Sequence, residues 1–343
     1  MTTPLRLGII GAANIARQFC RGVAASPAIA VVAVASRSGD KAAAFARDCG
    51  IARHHASYDA LLADPDVEAI YNPLPNDLHK DWTIRALQAG KHVLCEKPLC
   101  MSGADAQAMY AAARAAGRHL VEAYPYMSQP QTLRLREILA AGELGRVQVV
   151  TASFGFGIAT PDGVPVADPR NIRLLPERGG GALYDAGTYA TSFVRIVAGE
   201  RPRRVLATGR FTPGGVDQTV AATLEFPSGL IGQITTSLST SFHRHAVVIA
   251  EKGLIETGYA NHAPAGILPL RVKRGVPNTV PFDVEELPGA DGFRLEAESF
   301  AQLVRSGSGW NGASEAESVD TMLALEAIAR SLRAGGAWTE LAA

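Results

Sequence analysis

The stretch LRLGIIGAANIA, residues 5–16, contains the features that decide the fold. Residues 5–10 form a short apolar run that is typical of a buried strand, and Gly11 supplies the bend that follows it. Apolar residues then recur every four positions from Ile15 to Val23, which predicts the buried face of a helix. A strand, a tight turn and a helix in this order can hold the pyrophosphate of a dinucleotide.

The turn matches the dinucleotide-binding fingerprint in a relaxed form. Ala13 stands where the full fingerprint has its second glycine, and this places a Cβ near the expected phosphates. An ordinary strand-to-helix turn is therefore the alternative, although the position of the motif at the first strand favours the nucleotide site. The residues predicted to contact the cofactor at this turn are Gly11, Ala13, Asn14 and Ile15.

The pattern of strands and helices predicts an α/β fold in two domains. Strands and helices alternate up to residue 123, which indicates a Rossmann domain with a doubly wound parallel sheet over residues 1–123. Between residues 147 and 256, apolar strand-like segments follow one another with few helices. This pattern indicates a C-terminal α/β domain over residues 124–343 with a large, mostly antiparallel open sheet. The stretch 261–288 is rich in proline and glycine and is predicted to be a loop.

Composition limits the classes of partner. Lysine plus arginine equal aspartate plus glutamate at 33 each, so no net charge would attract nucleic acid or an anionic membrane. Small molecules and further copies of the chain are the expected partners. The four cysteines are too few and too scattered for a disulfide framework or a closed zinc site, and no metal is expected. Neither a signal peptide nor an apolar run of membrane-spanning length is recognisable, so a cytoplasmic location is expected.

The residues after the second strand bear on the choice between NADP and NAD. Proteins that prefer NAD usually carry an acidic residue there, which holds the ribose 2′-hydroxyl and would repel a 2′-phosphate. This chain instead offers the hydroxyl of Ser36, the guanidinium of Arg37 and the ammonium of Lys41, which suit a phosphate. The pattern favours NADP, and the alternative is that Arg37 is a solvated loop residue.

Two further loops follow strands of the predicted parallel sheet. The prolines of the first loop predict a rigid segment along the cofactor, with contacts from Pro73, Leu74, Asn76 and His79. In the second loop, Lys97 follows Glu96 at the sheet edge where open α/β sheets bind ligands, and both are predicted to lie at the cofactor. Lys97 is expected to face the reacting carbon beside the nicotinamide. The alternatives are a surface histidine for His79 and a solvated lysine for Lys97.

Four segments together are specific enough to identify a resemblance. They are GIIGAANIA (8–16), YNPLPNDLH (71–79), CEKPL (95–99) and GGGALYDAGTY (179–189). Over nearly the whole chain the sequence resembles the glucose-fructose oxidoreductase, inositol dehydrogenase and MocA-like family. Within that family it is most similar to dimeric dihydrodiol dehydrogenases and NADP-dependent D-xylose dehydrogenases. The resemblance implies a homodimer or higher homo-oligomer formed through the open sheet of the C-terminal domain.

The resemblance also implies the catalytic residues. Lys97 corresponds to the family's catalytic lysine, and Asp185 and Tyr189 correspond to the pair that lines its substrate pocket. Oxidation of a hydroxyl needs a hydride transfer to nicotinamide C4 and a base for the proton, and a phenol made more acidic by a nearby ammonium can serve. Asp185, four residues before Tyr189, is expected to share its helical face and to bind a neighbouring hydroxyl or tune Lys97. From the residues alone, a helix N-cap for Asp185 and a core aromatic for Tyr189 are the alternatives.

The leading hypothesis is an NADP-dependent dehydrogenase or reductase that acts on a cyclic polyol, an aldose or a vicinal diol. Further substrate contacts are predicted from Tyr126, Asn171 and Arg173. One alternative is a family member that uses bound NAD(P) for glycoside elimination or hydrolysis. Another is a non-catalytic, dinucleotide-sensing regulator, against which the joint presence of the three catalytic candidates argues.

Overall fold

The computed structural model describes residues 3–166, 168, 170–263 and 266–341. The chain divides into two compact units. The first unit contains Met1–Cys100, Ala104–Ser128 and Ala290–Glu315. The second unit contains Met101–Gly103, Gln129–Gly289 and Ala316–Ala343.

Strands and helices alternate in the first part of the chain, and strands dominate the second. Up to residue 123 the elements are, in chain order, β1 Leu5–Ile10, α1 Asn14–Val23, β2 Ile29–Ala35, α2 Gly39–Cys49, β3 Arg53–His55, α3 Tyr58–Leu62, β4 Ala69–Asn72, α4 His79–Gln88, β5 His92–Glu96, α5 Gly103–Ala116 and β6 Leu120–Ala123. Beyond it they are α6 Pro130–Ala140, β7 Val147–Gly157, α7 Thr188–Ala198, β8 Arg204–Phe211, β9 Asp217–Glu225, β10 Ile231–Ser237, β11 Ser239–Ala250, β12 Gly253–Thr257, β13 Ile267–Arg274, β14 Asp283–Pro288, α8 Gly292–Ser306, α9 Glu315–Arg333 and β15 Thr339–Glu340.

The first unit contains a six-stranded sheet in the order β3-β2-β1-β4-β5-β6. Every neighbouring pair in it is parallel. This is the strand order of a dinucleotide-binding Rossmann sheet, and it confirms the predicted parallel sheet. The order reverses between β1 and β4, so the carboxyl ends of these two strands border the crevice where such sheets bind ligands.

Helix α8 belongs to the first unit, although it comes from a distant part of the chain. Phe293 contacts Phe19 of α1 edge to face at 5.8 Å between ring centroids, and Ala297 and Phe300 are buried in the same core. The predicted boundary at residue 123 placed this segment in the second domain. The apolar positions of α8 are clear in the sequence, but its local pattern does not specify which core they join.

A buried carboxyl group lies on the inner face of α8. Glu296 is fully buried, and neither of its carboxyl oxygens has a hydrogen-bond partner among the described residues. Burial, with further contributions from the carboxylates of Glu96 and Glu122, raises the pKa of Glu296 well above its ordinary value of 4.5.

Replacing Glu296 by glutamine is expected to flatten the dependence of stability on pH. Because its pKa is raised, the Glu296 carboxyl group keeps its proton in the folded chain at pH values where the unfolded chain has lost it. The contribution of Glu296 to the free energy of unfolding therefore decreases as the pH rises above 4.5. Glu296→Gln remains neutral, so it should lose that slope and gain stability relative to the parent at alkaline pH. Urea unfolding of both proteins at acid and alkaline pH measures the effect, and equal slopes would contradict a neutral Glu296.

The second unit contains a nine-stranded sheet in the order β14-β13-β12-β11-β7-β10-β9-β8-β15. The pair β7–β10 is parallel, and the other neighbouring pairs are antiparallel. The predicted, mostly antiparallel sheet is confirmed. The prediction of a loop over 261–288 is wrong, because β13 and β14 lie there. Leu268, Leu270 and Val272 alternate with exposed residues along β13, and this burial outweighs the proline at 269.

Among the described residues, no helix combines the length and the apolar character needed to cross a lipid bilayer.

Candidate active site

The turn after β1 has the geometry of a phosphate cradle. Gly11 has φ of +108°, and a Cβ added there would lie 2.8 Å from the Leu74 side chain, so only glycine fits. Helix α1 starts at Asn14, its N-cap Ala13 gives no side-chain hydrogen bond, and its first turn contains no acidic residue. The N–H groups of that turn are therefore not satisfied by a capping side chain, as an anion-binding helix start requires.

The end of β2 presents its polar residues in a short loop. Ser36 is buried, and its hydroxyl accepts a hydrogen bond from the Ser38 backbone at 3.3 Å, while Arg37 and Lys41 are exposed. The Arg37 guanidinium interacts with the hydroxyl of Tyr58, whose pKa is raised by burial and partly lowered again by that charge. The loop therefore presents the cation of Arg37, and the first turn of α2 presents the cation of Lys41 beside Asp40. The described residues between the end of β2 and Asp40 include no glutamate or aspartate.

The loop after β4 is held in place by buried side chains. Asn72 accepts a hydrogen bond from the Leu74 N–H at 3.3 Å and donates to Thr83 at 3.1 Å. Pro73 and Leu74 are buried, whereas Asn76 is half-buried at the start of a short 3₁₀ turn. Sequence reasoning did not single out Asn72, whose polar bonds make the loop rigid.

His79 links this loop to the one after β5. Its ring nitrogens lie 2.7 Å from the Leu74 carbonyl oxygen and 2.8 Å from the Pro98 carbonyl oxygen, and the ring is 1 % exposed. Burial lowers the pKa of His79, and the two carbonyl contacts oppose that shift. The structure therefore gives His79 the position of a brace between the two loops, and a direct contact with a cofactor stays a prediction. A surface histidine is excluded by its burial.

Lys97 follows the carboxyl end of β5 in a firmly anchored main chain. Glu96 accepts a hydrogen bond from the Tyr71 hydroxyl at 2.6 Å and from the Lys97 N–H at 3.3 Å. On the other side, the Lys97–Pro98 peptide bond is cis and the Pro98 carbonyl contacts His79. The Lys97 side chain is half-buried, while the carboxylate of Glu96 is buried within the first unit.

Two of the predicted substrate contacts have structural surroundings that sequence reasoning did not anticipate. Tyr126 is fully buried in the 3₁₀ turn Pro125–Ser128 and contacts Tyr124 edge to face at 6.0 Å. Asn171 accepts a hydrogen bond from the Arg173 N–H at 3.1 Å and so caps the 3₁₀ turn that follows it. Contact of either residue with a substrate stays a prediction.

Asp185 lies in a π-helical turn, Leu183–Gly187, which leads directly into α7. The expectation of a regular helix from Asp185 onward therefore needs correction, because the wider turn precedes α7 and changes the register between Asp185 and Tyr189. Asp185 is mostly buried and accepts a hydrogen bond from the Arg173 guanidinium at 2.5 Å. The structure thus brings these two predicted substrate residues together as an ion pair.

The π-helical turn is anchored by Asp217, which sequence reasoning missed. Its carboxylate accepts a hydrogen bond from the Leu183 N–H at 2.6 Å, at the start of the turn. Burial raises the pKa of Asp217 to about 6, and this hydrogen bond acts in the opposite direction. Thr236 adds a hydrogen bond to the Ala182 carbonyl at 3.1 Å. Both anchors come from strands that lie far along the chain.

Tyr189, on the first turn of α7, has a polar and aromatic environment. Its hydroxyl oxygen accepts a hydrogen bond from the Asn261 side-chain amide at 3.1 Å. Its ring contacts Phe154 edge to face at 5.5 Å, and the Arg244 guanidinium carbon lies 4.4 Å from its centroid. The side chain is 6 % exposed. A phenol held by a neutral amide beside a guanidinium is well placed to exchange a proton.

Comparison with known proteins places this geometry among oxidoreductases. A model described as "Oxidoreductase family, NAD-binding Rossmann fold" matches residues 5–124, and one described as "GFO/IDH/MocA C-terminal domain" matches residues 132–256. The chain is 37% identical over 336 residues to D-xylose 1-dehydrogenase (NADP(+)) 2 of Haloferax volcanii, covering 97% of this chain and 99% of that one. It is 36% identical over 255 residues to mouse trans-1,2-dihydrobenzene-1,2-diol dehydrogenase, covering 74% of each.

A solved structure is also similar over nearly the whole chain. KijD10, a 3-ketoreductase from Actinomadura kijaniata in complex with NADP and TDP-benzene, has a TM-score of 0.83 at 29% identity. The match covers 97% of this chain and 98% of that one.

Proposed function

This chain belongs to the GFO/IDH/MocA family of oxidoreductases, and on that premise we propose that it transfers a hydride between NADP and a sugar, polyol or vicinal diol. The observation that carries the proposal is the turn at Gly11. It follows β1 of a Rossmann sheet and leads into α1, a helix that starts without a capping side chain. The relatives named for NADP-dependent xylose oxidation and dihydrodiol oxidation support the substrate class.

The residues of the first unit fit NADP. The N–H groups at Asn14 and Ile15 suit a pyrophosphate, and the exposed Arg37 and Lys41 suit a 2′-phosphate. We assign the adjoining contacts to Pro73, Leu74, Asn76, Glu96 and Lys97, with His79 bracing the loops. When bound, NADP supplies a nicotinamide carbon that accepts or donates the hydride.

We assign the proton chemistry to Tyr189. In the oxidation direction the ionised oxygen of Tyr189 accepts the hydroxyl proton of the substrate, so that the phenol is formed as the substrate carbon gives up its hydride and becomes a carbonyl carbon. Lys97 contributes a positive charge that stabilises the developing negative charge on oxygen. Asp185, paired with Arg173, orients a second hydroxyl of the substrate. In the reduction direction the same phenol returns the proton.

The proposal is tested by assaying the purified protein with NADP against a panel of pentoses, hexoses, cyclic polyols and vicinal diols. We expect reversible changes in nicotinamide absorbance with at least one of them. The value of kcat/KM with NADP should exceed that with NAD by about tenfold or more, because charge-assisted hydrogen bonds to the 2′-phosphate contribute roughly 1.5–3 kcal/mol.

Two outcomes would contradict the proposal. Cofactor that stays bound through purification without net reduction, together with cleavage of a glycoside, would favour elimination or hydrolysis. Cofactor binding with no turnover on the whole panel would favour a dinucleotide-sensing regulator.

We also propose that the protein forms a homodimer through the open face of its nine-stranded sheet. Val149, Ile231, Ile249 and Leu254 are register neighbours on that face, and none of them is fully buried. An apolar row of this kind across adjacent strands suits a second copy of the chain. A cytoplasmic location remains a prediction from the sequence.

A further inference from the structure

We propose that Arg244 is the positioning residue that favours the ionised form of Tyr189, so that the guanidinium sets the pH at which this phenol can accept a proton. The inference rests on the proposed function of Tyr189 as the proton-exchanging group. It adds a residue that lies outside the motifs of the sequence and far from Tyr189 along the chain.

The geometry places the Arg244 guanidinium within a group of aromatic rings. Its central carbon lies 4.4 Å from the ring centroid of Tyr189, 4.5 Å from that of Tyr259 and 4.8 Å from that of Phe154. The Nε and Nη2 atoms are buried. Arg244 is the register partner of Phe154 on the neighbouring strand β7, so the pairing of the sheet brings the Arg244 side chain beside Phe154.

A cation in this position acts differently on the two forms of the phenol. A neutral ring attracts it through the ring quadrupole alone. An ionised phenol carries a full negative charge that is shared between the oxygen and the ring carbons, so the same cation attracts it more strongly. Because the Nε and Nη2 atoms of the guanidinium are buried, solvent screens this difference less than it would at the surface. Arg244 therefore lowers the free energy of the phenolate relative to the phenol.

The two tyrosines beside Arg244 are distinguished by their hydrogen bonds. Tyr259 donates its hydroxyl proton to the Ser153 carbonyl at 2.8 Å, and burial raises the pKa of Tyr259 to about 12, although the charge of the Arg244 guanidinium and a hydrogen bond from it act in the opposite direction. Tyr189 instead accepts a hydrogen bond from the Asn261 amide at 3.1 Å. A donor to the oxygen favours the ionised form, whereas a carbonyl acceptor favours the neutral one. The guanidinium is thus shared between two phenols. Tyr259 is fully buried and donates to a carbonyl, so it stays protonated, and Tyr189 is the phenol on which the proposed effect acts.

Asn261 is itself held in place. Gln129, which is fully buried, donates a hydrogen bond from its side-chain amide to the Asn261 backbone carbonyl at 2.8 Å. The donor to Tyr189 is therefore positioned by a second buried amide.

Other charged and titratable groups surround Tyr189 on the elements packed against it. Asp185 precedes it in the π-helical turn and is paired with Arg173, so that pair carries little net charge. Tyr259 follows β12 and stays protonated at neutral pH. Two histidines, His243 and His245, alternate with Arg244 along β11 and so lie on the opposite face of the sheet, and His262 is exposed.

The test compares Arg244→Gln with Arg244→Lys and titrates Tyr189 directly. Tyrosinate absorbance in the near ultraviolet is recorded against pH for each protein, and the signal of the matching Tyr189→Phe protein is subtracted, so that no catalytic turnover is needed. In Arg244→Gln we expect Tyr189 to ionise about one pH unit higher or more, which is a tenfold change in its ionisation equilibrium. Arg244→Lys, which keeps the charge, should shift less.

Turnover gives a second measurement of the same effect. In the oxidation direction kcat should rise with pH as Tyr189 ionises. In Arg244→Gln this rise should occur at a pH that is higher by the same amount as the shift in the Tyr189 midpoint, so that kcat is lost at neutral pH and recovered at higher pH. Arg271→Gln is the matched control, since Arg271 stacks on Phe282 at 4.4 Å in the same sheet away from Tyr189, and it should leave both measurements unchanged.

An unchanged ionisation midpoint for Tyr189 in Arg244→Gln would overturn the inference, as would an equal shift in Arg244→Lys. Should Arg244→Gln fail to fold, the Lys variant decides: a midpoint shifted by clearly less than about one pH unit supports a charge effect, and a shift of about one pH unit or more contradicts it. If the parent enzyme shows no turnover at all, the proposed function fails, while the titration still reports on Arg244 and Tyr189.

Discussion

Replacing Lys97 by alanine is expected to lower kcat by roughly 10²–10⁴-fold while changing the dissociation constant of NADP far less. The expected loss is the stabilisation that an ammonium gives to negative charge on the reacting oxygen. The main chain should survive the change, because the carboxylate of Glu96 and the carbonyl of Pro98 are anchored by Tyr71 and His79 independently of the Lys97 side chain. The measurement is steady-state kinetics together with cofactor titration.

Lys252→Ala is a suitable control for this experiment. Lys252 is exposed in the turn between β11 and β12 and is not one of the proposed site residues, so its removal should leave kcat at the parent value. A decrease of less than about tenfold in Lys97→Ala would remove Lys97 from the mechanism. An equal loss of NADP affinity would instead assign the side chain to cofactor binding.

The Rossmann sheet could be predicted because its signals are local. Its central strands are short and mostly apolar, and such stretches are recognisable without knowledge of their neighbours. The short edge strand β3, Arg53–His55, was not predicted because its sequence Arg-His-His carries no apolar signal and forms only through pairing with β2. Helix α8 was assigned to the wrong structural unit for a related reason, since Phe293 joins a core made by residues far earlier in the chain.

The candidate site shows the same division between local and long-range signals. Gly11, Lys97 and Tyr189 lie in motifs whose spacing is readable in the sequence, whereas Arg244 and Asn261 are single polar residues in a strand and a loop. Only the pairing of β11 with β7 and the path of the chain after β12 bring them to Tyr189. No local pattern could have identified them.

Replacing Tyr189 by phenylalanine is expected to lower kcat by roughly 10²–10⁴-fold, with a smaller change in KM, because the variant cannot exchange a proton with the substrate oxygen. The ring itself is kept, so its contacts with Phe154 and Arg244 remain. The change removes one hydrogen bond from Asn261, which costs about 1 kcal/mol of folding stability. Chemical unfolding should therefore show a nearly native protein with very little turnover, which separates a catalytic loss from a structural one.

Tyr184→Phe is the matched control for this prediction. It removes a phenol from the preceding π-helical turn, where the Tyr184 hydroxyl donates to the Met101 carbonyl at 3.2 Å, and it should keep most of the activity. If Tyr189→Phe retains kcat within about threefold, another group must carry the proton.

The residual activity of Tyr189→Phe should in addition lose its dependence on Arg244, since the guanidinium acts on the rate through the phenol. A further large decrease in kcat in Tyr189→Phe/Arg244→Gln would show that Arg244 contributes by a separate route. If the double variant is about as active as Tyr189→Phe, the two losses are not additive, and the two side chains act as one proton-exchanging unit.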